Sequence, residues 1–320
     1  MVDSAFSLGL IGYPLQQSLS PRLHAAALER MGLQGEYRLY PVPPFPQDAG
    51  LLGEIMDRLR MGQIHGLNVT IPHKQTVLPY LDYLTPQAHA IGAVNTIFCQ
   101  SGVLTGDNTD APGFISDLQR VLGGWRKSSD TADDGSVESI ALVLGAGGAA
   151  RAVVYALWQA GWQVTVASRR LEQAEELVTS LSDSSASSAL NPANLSSIPL
   201  DISTLKEFVS SHSNRKSNTI NHKPKILVNA TSAGMLPDTA SSPWPEELPF
   251  PQGWLVYDLV YKPLETCFLR RARSAGLPGV NGLGMLVEQA ALALERWTGQ
   301  PVPRQAMWEG IGQPMDRGII

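Results

Sequence analysis

The stretch that decides the fold is VLGAGGAAR, residues 143–151. It places Gly145, Gly147 and Ala150 at the spacing G-x-G-x-x-A, directly after an apolar strand-like run and at the start of an apolar helical pattern. In this pattern the first glycine permits a tight turn, the second lets the backbone approach a pyrophosphate, and the small third residue lets helix pack on strand. The helix N-terminus then supplies amide donors to the anion. The stretch predicts a dinucleotide-binding βα unit in a doubly wound sheet.

The next strand-like run, QVTVAS, ends at Ser168, Arg169 and Arg170. Domains of this kind that bind NAD carry an acidic residue here for the ribose 2′-hydroxyl, whereas the planar fork of arginine suits a 2′-phosphate. A solvated arginine pair is the alternative, but cations at the start of a helix oppose its dipole. The sequence therefore favours NADP over NAD.

Other stretches show the same alternation of strand and helix patterns. Those before residue 113 predict a separate α/β region with a mostly parallel sheet. Its expected elements are strands at 6–12, 36–42 and 64–72, helices at 20–32 and 48–62, and a hairpin over 94–106. Ser20 is expected to cap the first helix, with Pro21 at its first turn and Gly32 at its end.

The polar stretch 124–139 is expected to link this region to the glycine-rich unit. Residues 182–225 are rich in serine and asparagine, and we expect them to form a mobile surface excursion with one helix over 201–211. The remaining patterns predict strands at 225–234 and 253–261, and helices at 265–276, 282–299 and 304–311.

Composition narrows the class of protein. The 320 residues are 43% hydrophobic and 17% charged, which is typical of a globular chain of two domains. The net charge of -5 gives no broad positive field, so neither nucleic acid nor an anionic membrane surface is an expected partner. The expected partner is a small molecule, and the expected assembly is a monomer or a homodimer.

The first residues contain Asp3 and no basic region, so they make a poor signal peptide, and the expected location is cytoplasmic. The glycosylation triplets at Asn68, Asn194 and Asn229 are then not expected to carry sugar. Cys99 is expected to be reduced, as is Cys267. No acidic or histidine cluster indicates a metal site.

Polar side chains in the first region are candidates for binding a second ligand. The loop SLSP offers the hydroxyls of Ser18 and Ser20 to a carboxylate, although Ser20 acting only as a helix cap is a strong alternative. In GLNVTIPHK, strand alternation puts Asn68 and Thr70 on one side. Pro72 is expected to end the strand and to present Lys74 at its carboxyl edge, where open α/β sheets bind ligands.

A lysine in such a cleft can transfer a proton, although a lysine after a strand is usually only solvated. Asp110 in GDNTD and Asn95 in GAVNT are candidate partners, with turn formation as their alternative. Spacing alone leaves open whether these side chains converge on Lys74. His73 is a rival base for which the sequence offers no partner.

Eight ordered motifs together resemble the shikimate dehydrogenase family: SLSP, NVTIPHK, GAVNT, GDNTD, GAGGAAR, NATSAGM, YDLVYKPLET and GLGMLVEQAA. The resemblance covers nearly the whole chain except 125–139 and 182–225. It implies two domains, an N-terminal α/β substrate-binding and catalytic domain completed by C-terminal helices (1–112 plus 282–320), and a Rossmann-like NADP-binding domain (113–281). It also implies reversible reduction of 3-dehydroshikimate to shikimate by NADPH.

By motif match, the resemblance places Lys74 and Asp110 as the catalytic pair, with Lys74 as proton donor. It assigns substrate-binding roles to Ser18, Ser20, Asn68, Thr70, Asn95, Tyr261 and Gln289. It assigns cofactor-binding roles to Gly145, Ala146, Gly147, Gly148, Ala149, Ser168, Arg169, Arg170, Leu259, Gly282 and Met285.

The chain departs from the family at two points. Ser168, Arg169 and Arg170 stand where the family commonly has Asn-Arg-Thr, and the serine-rich segment exceeds the usual loop. Two alternatives stay open from sequence. One is a quinate/shikimate dehydrogenase with broader substrate range or NAD use, and the other is a non-catalytic NADP-binding sensor on the same fold.

Overall fold

The computed structural model describes residues 5–47, 50–126, 139–184, 190–212 and 224–315, with side chains to 123 in the second range. The chain divides into two compact units, each with a six-stranded sheet. The first unit contains the described residues of 5–113 and 286–315, and the second contains those of 114–285. The sequence-based division placed the boundaries at 112/113 and 281/282. Two α/β units agree with the expected fold class.

The sheet of the first unit has the strand order β2-β1-β3-β5-β6-β4. Its strands are β1 Phe6–Gly12, β2 Gly35–Pro41, β3 Gly66–Val69, β4 Tyr83–Leu84, β5 Thr96–Gln100 and β6 Val103–Asp107. The helices are α1 Ser20–Met31, α2 Leu51–Arg60, α3 Pro86–Ile91, the start of α4 Asp110–Arg126, most of α9 Leu283–Thr298, and α10 Arg304–Gly310.

This sheet is mixed. β1 pairs in parallel with β2 and β3, whereas β5 runs antiparallel to both β3 and β6. The expected hairpin is confirmed, and its two-residue turn is Ser101-Gly102, with φ of 51° and 80°. Positive φ at both central residues is the geometry that suits the twist of a tight hairpin. An apolar core between this sheet and α2 includes the fully buried Leu59, Leu67 and Ile97.

The start of α1 differs from the expectation. Leu19, not Ser20, is the N-cap residue, and Ser20 is the first helical residue. The hydroxyl of Ser18 accepts a hydrogen bond from the Ser20 backbone amide at 3.2 Å. A serine oxygen readily accepts from the amide two residues on, so the capping-type bond falls to Ser18 instead. The helix ends at Gly32 in the left-handed region, as expected.

The second unit has an all-parallel sheet of order β12-β11-β10-β7-β8-β9. Its strands are β7 Ile140–Leu144, β8 Gln163–Ser168, β9 Leu195–Pro199, β10 Lys225–Asn229, β11 Leu255–Asp258 and β12 Gly279–Asn281. Its helices are most of α4, α5 Gly148–Gln159, α6 Leu171–Ser184, α7 Ile202–His212, α8 Cys267–Ser274 and the start of α9. From β7 the chain first adds β8 and β9 on one side and then β10, β11 and β12 on the other, so the sheet is doubly wound.

Two expectations about irregular segments need correction. Residues 124–126 belong to α4 and not to a linker, and 127–138 lie outside the described residues. The serine-rich segment contains β9 as well as α7, so it is not an excursion over 190–212. Its serines suit β9, which is an edge strand. The hydroxyl of Ser196 there lies 2.8 Å from the hydroxyl of Thr165 on the neighbouring β8. Its remaining parts at 185–189 and 213–223 are not described.

Strand β3 ends at Val69, three residues before Pro72, and α3, β4 and β12 were not expected. Within the described ranges, no helix has the length and apolarity needed to cross a membrane. The same ranges contain no group of three metal-ligating side chains.

Candidate active site

Lys74 and Asp110 meet in the first unit. Lys74 lies in the turn after β3, and Asp110 is the first residue of α4. The Lys74 Nζ donates to Asp110 Oδ2 at 2.5 Å, and the two side chains are 15% and 6% exposed. An ion pair this buried holds both charges in a fixed place only when further hydrogen bonds satisfy the carboxylate. That bond comes from Asn95, whose Nδ2 donates to Asp110 Oδ1, while Asn108 holds the Asp110 backbone.

Asn108 fixes the backbone at Asp110. Its Oδ1 accepts from the amides of Asp110 at 3.1 Å and Ala111 at 3.2 Å, which otherwise lack partners at the start of α4. Its Nδ2 donates to the Ala93 carbonyl at 2.8 Å. Sequence reasoning missed this residue, although an asparagine just before a helical pattern is a recognisable capping signal.

Asn95 joins the pair to α9. Its Nδ2 lies 2.9 Å from Asp110 Oδ1 and 3.2 Å from Gln289 Oε1, and its Oδ1 accepts from the Thr109 amide at 2.7 Å. The side chain of Asn95 is almost fully buried. Four predicted residues, Lys74, Asp110, Asn95 and Gln289, therefore form one connected polar cluster.

Asn68 extends this cluster toward β2. Its Nδ2 donates to the Asn95 carbonyl at 3.1 Å and lies 3.3 Å from Thr96 Oγ1, and its Oδ1 accepts from the Tyr37 hydroxyl at 2.8 Å. The side-chain amide of Asn68 is thus oriented by hydrogen bonds at both its nitrogen and its oxygen. Tyr37 was not a sequence candidate, because its place opposite Asn68 depends on sheet pairing and not on any local motif.

The remaining first-unit candidates lie at the ends of neighbouring strands. Ser18 and Ser20 follow β1, and Thr70 follows β3, which pairs in parallel with β1. Thr70 is half-buried, and its amide donates to the Ile11 carbonyl at 2.8 Å. The hydroxyls of Ser20 and Thr70 make no hydrogen bond to other described residues, so they are available to a ligand.

His73 is a structural residue. Its ring is fully buried, and its Nε2 lies 2.7 Å from the Val42 carbonyl. The sequence offered no partner for this side chain because the contact joins residues 31 positions apart. His73 therefore has no access to a substrate as a rival base.

In the second unit, β7 leads through the glycine turn into α5. Gly145 has a φ of 108°, and a Cβ there would lie 2.9 Å from the Thr231 methyl group. Gly147, the N-cap of α5, has open space around it and makes no side-chain cap bond. Free amides at this helix N-terminus and an open approach fit a pyrophosphate.

Ser168 ends β8 at the same sheet edge, and Arg169 and Arg170 follow it. Ser168 is buried, and its Oγ accepts from the Arg170 amide at 3.3 Å. Both arginines are exposed and have no ion-pair partner in the described part of the chain. Unpaired guanidinium groups beside the glycine turn fit an anionic ligand group such as a 2′-phosphate.

Leu259, Gly282 and Met285 also lie in the second unit. Gly282 packs so closely on Leu259 that a Cβ would lie 2.1 Å from the Leu259 carbonyl oxygen. Met285 is buried near the start of α9. Tyr261 belongs to this unit as well, and burial raises the pKa of its phenol.

Comparison with known proteins finds relatives that match both of these units. Two family models match, the shikimate dehydrogenase substrate binding domain over residues 10–97 and the shikimate 5′-dehydrogenase C-terminal domain over residues 282–309. A relative named shikimate dehydrogenase (NADP(+)), from Salinibacter ruber, is 38% identical over 305 residues, covering 94% of this chain and 95% of the relative. The chain belongs to the shikimate dehydrogenase family. The resemblance drawn from the eight motifs is thereby confirmed.

Solved structures agree with this family assignment. A shikimate 5-dehydrogenase from Thermus thermophilus, in complex with NADP(H) and shikimate, is 37% identical with a TM-score of 0.72, and the match covers 95% of this chain and 98% of that one. A quinate dehydrogenase from Corynebacterium glutamicum in complex with NAD has a TM-score of 0.75 at 28% identity, with 96% and 98% covered. Members of the shikimate dehydrogenase fold thus differ in both substrate and cofactor.

Proposed function

We propose that this chain is an NADP-dependent shikimate dehydrogenase that reversibly reduces 3-dehydroshikimate to shikimate, a step of aromatic amino-acid biosynthesis. The observation that carries the proposal is the buried Lys74–Asp110 pair inside a cluster of amide side chains. A binding protein without chemistry would gain nothing from a buried lysine next to a carboxylate, since such pairs seldom add net stability.

The substrate is a cyclohexene carboxylate with several hydroxyls. Hydroxyls at the ends of β1 and β3 suit its carboxylate, and amide side chains around the ion pair suit its ring hydroxyls. We assign Ser18, Ser20, Thr70 and Tyr261 to the carboxylate, and Asn68, Asn95 and Gln289 to the ring hydroxyls. Fixed polar partners discriminate well, because an analogue that lacks one hydroxyl leaves a buried partner unpaired.

For the cofactor, we assign Gly145, Ala146, Gly147, Gly148 and Ala149 to the pyrophosphate, and Ser168, Arg169 and Arg170 to the 2′-phosphate. Leu259, Gly282 and Met285 then contact the remainder of the molecule. When bound, NADPH supplies the hydride.

The protein must then supply one proton and hold the reactants. As the carbonyl carbon becomes an alkoxide carbon, its oxygen gains negative charge, which Lys74⁺ stabilises. Lys74 Nζ gives its proton to this oxygen, and Asp110, held by Asn95 and Asn108, keeps the amine oriented throughout. In the reverse direction the neutral amine accepts the hydroxyl proton. No metal ion is needed for either step.

The test replaces Lys74 by alanine in the full chain. We expect kcat to fall by about 10²- to 10⁴-fold while NADPH binding survives, because proton transfer and not cofactor contact is lost. Lys206→Ala, on an exposed face of α7, is the matched control. Turnover of the Lys74 variant near that of the control would remove Lys74 from the chemistry.

A spectrophotometric panel of shikimate and quinate, each with NADP and NAD, distinguishes the proposed function from the two alternative functions. Preference for shikimate and NADP supports it. Comparable rates with quinate or NAD would indicate the broader enzyme; the Corynebacterium glutamicum quinate dehydrogenase, solved with NAD, shares the fold of this chain. NADPH binding without turnover of either substrate would indicate a sensor.

A further inference from the structure

We infer that Asp258 is a positioning residue whose buried carboxylate holds the glycine turn and the 259–261 loop in the shape that binds NADPH. The inference rests on the proposed function of the second unit. Asp258 is the last residue of β11 and lies at the carboxyl edge of the sheet, where doubly wound folds bind their ligands.

The carboxylate of Asp258 accepts hydrogen bonds from three neutral donors. Oδ1 accepts from the Asn229 amide group at 2.8 Å and from the Val260 backbone amide at 3.0 Å, and Oδ2 accepts from the Thr266 hydroxyl at 2.6 Å. Asp258 is fully buried, and within the described residues no cation pairs with it. A buried carboxylate without a cation costs stability, so its presence here favours a role other than stability.

The Asn229 contact leads to the glycine turn. Asn229 Oδ1 accepts from both the amide and the hydroxyl of Thr231, at 2.9 and 2.7 Å. The Thr231 methyl group lies 2.9 Å from the position that a Cβ of Gly145 would take. Asp258 therefore sets the orientation of Asn229, which places Thr231 against the turn assigned to the pyrophosphate.

The Val260 contact fixes the loop after β11. Gly282 packs on the Leu259 carbonyl, and its amide lies 3.3 Å from the Val260 carbonyl. The Val260 amide, which donates to Asp258 Oδ1, thus closes the loop that carries Leu259 and Tyr261. Asp258 Oδ1 thus links the Asn229 side chain, which leads to the glycine turn, with the 259–261 loop.

The Thr266 contact fixes the carboxylate itself. Thr266 is the N-cap of α8, and its Oγ1 accepts from the Leu269 amide at 3.2 Å while donating to Asp258 Oδ2. Burial raises the pKa of Asp258 to about 7, against the smaller opposite effect of the three donors. The three hydrogen bonds hold the Asp258 side chain, so its geometry depends on all three partners.

The test compares Asp258→Leu with Asp258→Asn in the full chain. Leucine removes every acceptor, and we expect the Kd of NADPH to rise by about tenfold or more. Asparagine can keep its Oδ1 toward Asn229 and Val260, and we expect its Kd to stay within about threefold of wild type. Asp238→Leu, on an exposed loop of the same unit, is the control.

NADPH is titrated by its fluorescence without substrate, and the Kd is computed per binding-competent chain from the stoichiometry. A merely structural role lowers the folded fraction but leaves this Kd unchanged. The KM for NADPH should rise with the Kd, while kcat at saturating NADPH stays within about threefold. An Asp258→Leu protein that folds and binds NADPH within about twofold of wild type overturns the inference.

Should the leucine variant fail to fold, Thr231→Val decides. It keeps Asp258 but removes the hydroxyl that Asn229 holds, and we expect about a fivefold weaker Kd. An unchanged Kd in this variant overturns the inference. Failure of wild-type protein to bind NADPH would instead overturn the proposed function, so the two failures are distinguishable.

Discussion

Acidification is expected to destabilise the first unit through His24. This residue on α1 is fully buried, and its ring stacks on Tyr37 at 4.1 Å between centroids and lies 5.6 Å from Trp297. Neither ring nitrogen has a hydrogen-bond partner in the described part of the chain. Burial lowers the pKa of His24 from 6.5 to about 3, against a smaller raising effect of the nearby Asn68 side chain, because a charged imidazole would lose its contact with water.

The direction and size of the pH effect on the free energy of unfolding follow from this lowered pKa. The unfolded chain takes up the proton near pH 6.5 and the folded chain does not, so His24 contributes full stability above that value and loses it as pH falls toward 3. Between about pH 7.5 and about pH 5 the free energy of unfolding should fall by about 2 kcal/mol from this group alone. Wild-type protein should therefore be more acid-sensitive than a variant without the imidazole.

The assay is urea unfolding at both pH values for wild type and His24→Phe, which keeps a ring between Tyr37 and Trp297. Subtracting the two pH dependences cancels every other titrating group. His89→Gln is the control, since His89 is exposed on α3 of the same unit. An equal pH dependence in wild type and His24→Phe would refute the reasoning, because the folded imidazole would then titrate normally.

Two further predictions concern the sites directly. Arg169→Ala should weaken NADPH binding by about tenfold or more and NADH binding by less than about twofold, since only NADPH carries the 2′-phosphate; equal losses in fluorescence titrations would reject that role. Asn95→Ala should lower kcat by about 10²-fold with NADPH binding intact, because Asp110 and the Thr109 amide lose their shared partner; steady-state turnover close to wild type would show that Asp110 keeps its position unaided.

The second unit was the more predictable half from sequence. Strand β7, the glycine turn and α5 are neighbours in the chain, so a local motif with known spacing describes the whole ligand-facing element. Long periodic helices such as α9 were also predicted within a residue or two. Short elements were missed, because three residues in β12 or six in α3 carry too little periodicity to separate them from loops.

The sequence-based predictions were wrong where they rested on composition or on side-chain type alone. The serine-rich segment predicted an excursion, yet β9 forms there because an edge strand next to β8 tolerates polar side chains on both faces. The loop SLSP contains two serines able to cap a helix, and only the backbone conformation decides between Ser18 and Ser20. Asp258 was not singled out, since it stands inside the strand predicted over 253–261 and its partners Asn229 and Thr266 are brought to it only by the fold.

The convergence of Lys74, Asn95 and Asp110 was left open by spacing, yet it follows from one readable feature. The Ser101-Gly102 turn makes β5 and β6 a hairpin, and β5 pairs antiparallel with β3. The carboxyl ends of β3 and β6 and the amino end of β5 must then share one sheet edge. Lys74 follows β3, Asn95 precedes β5 and Asp110 follows β6, so all three reach that edge. In an all-parallel sheet Asn95 would lie at the opposite edge, and the antiparallel β5 is therefore the feature that brings the proposed catalytic cluster together.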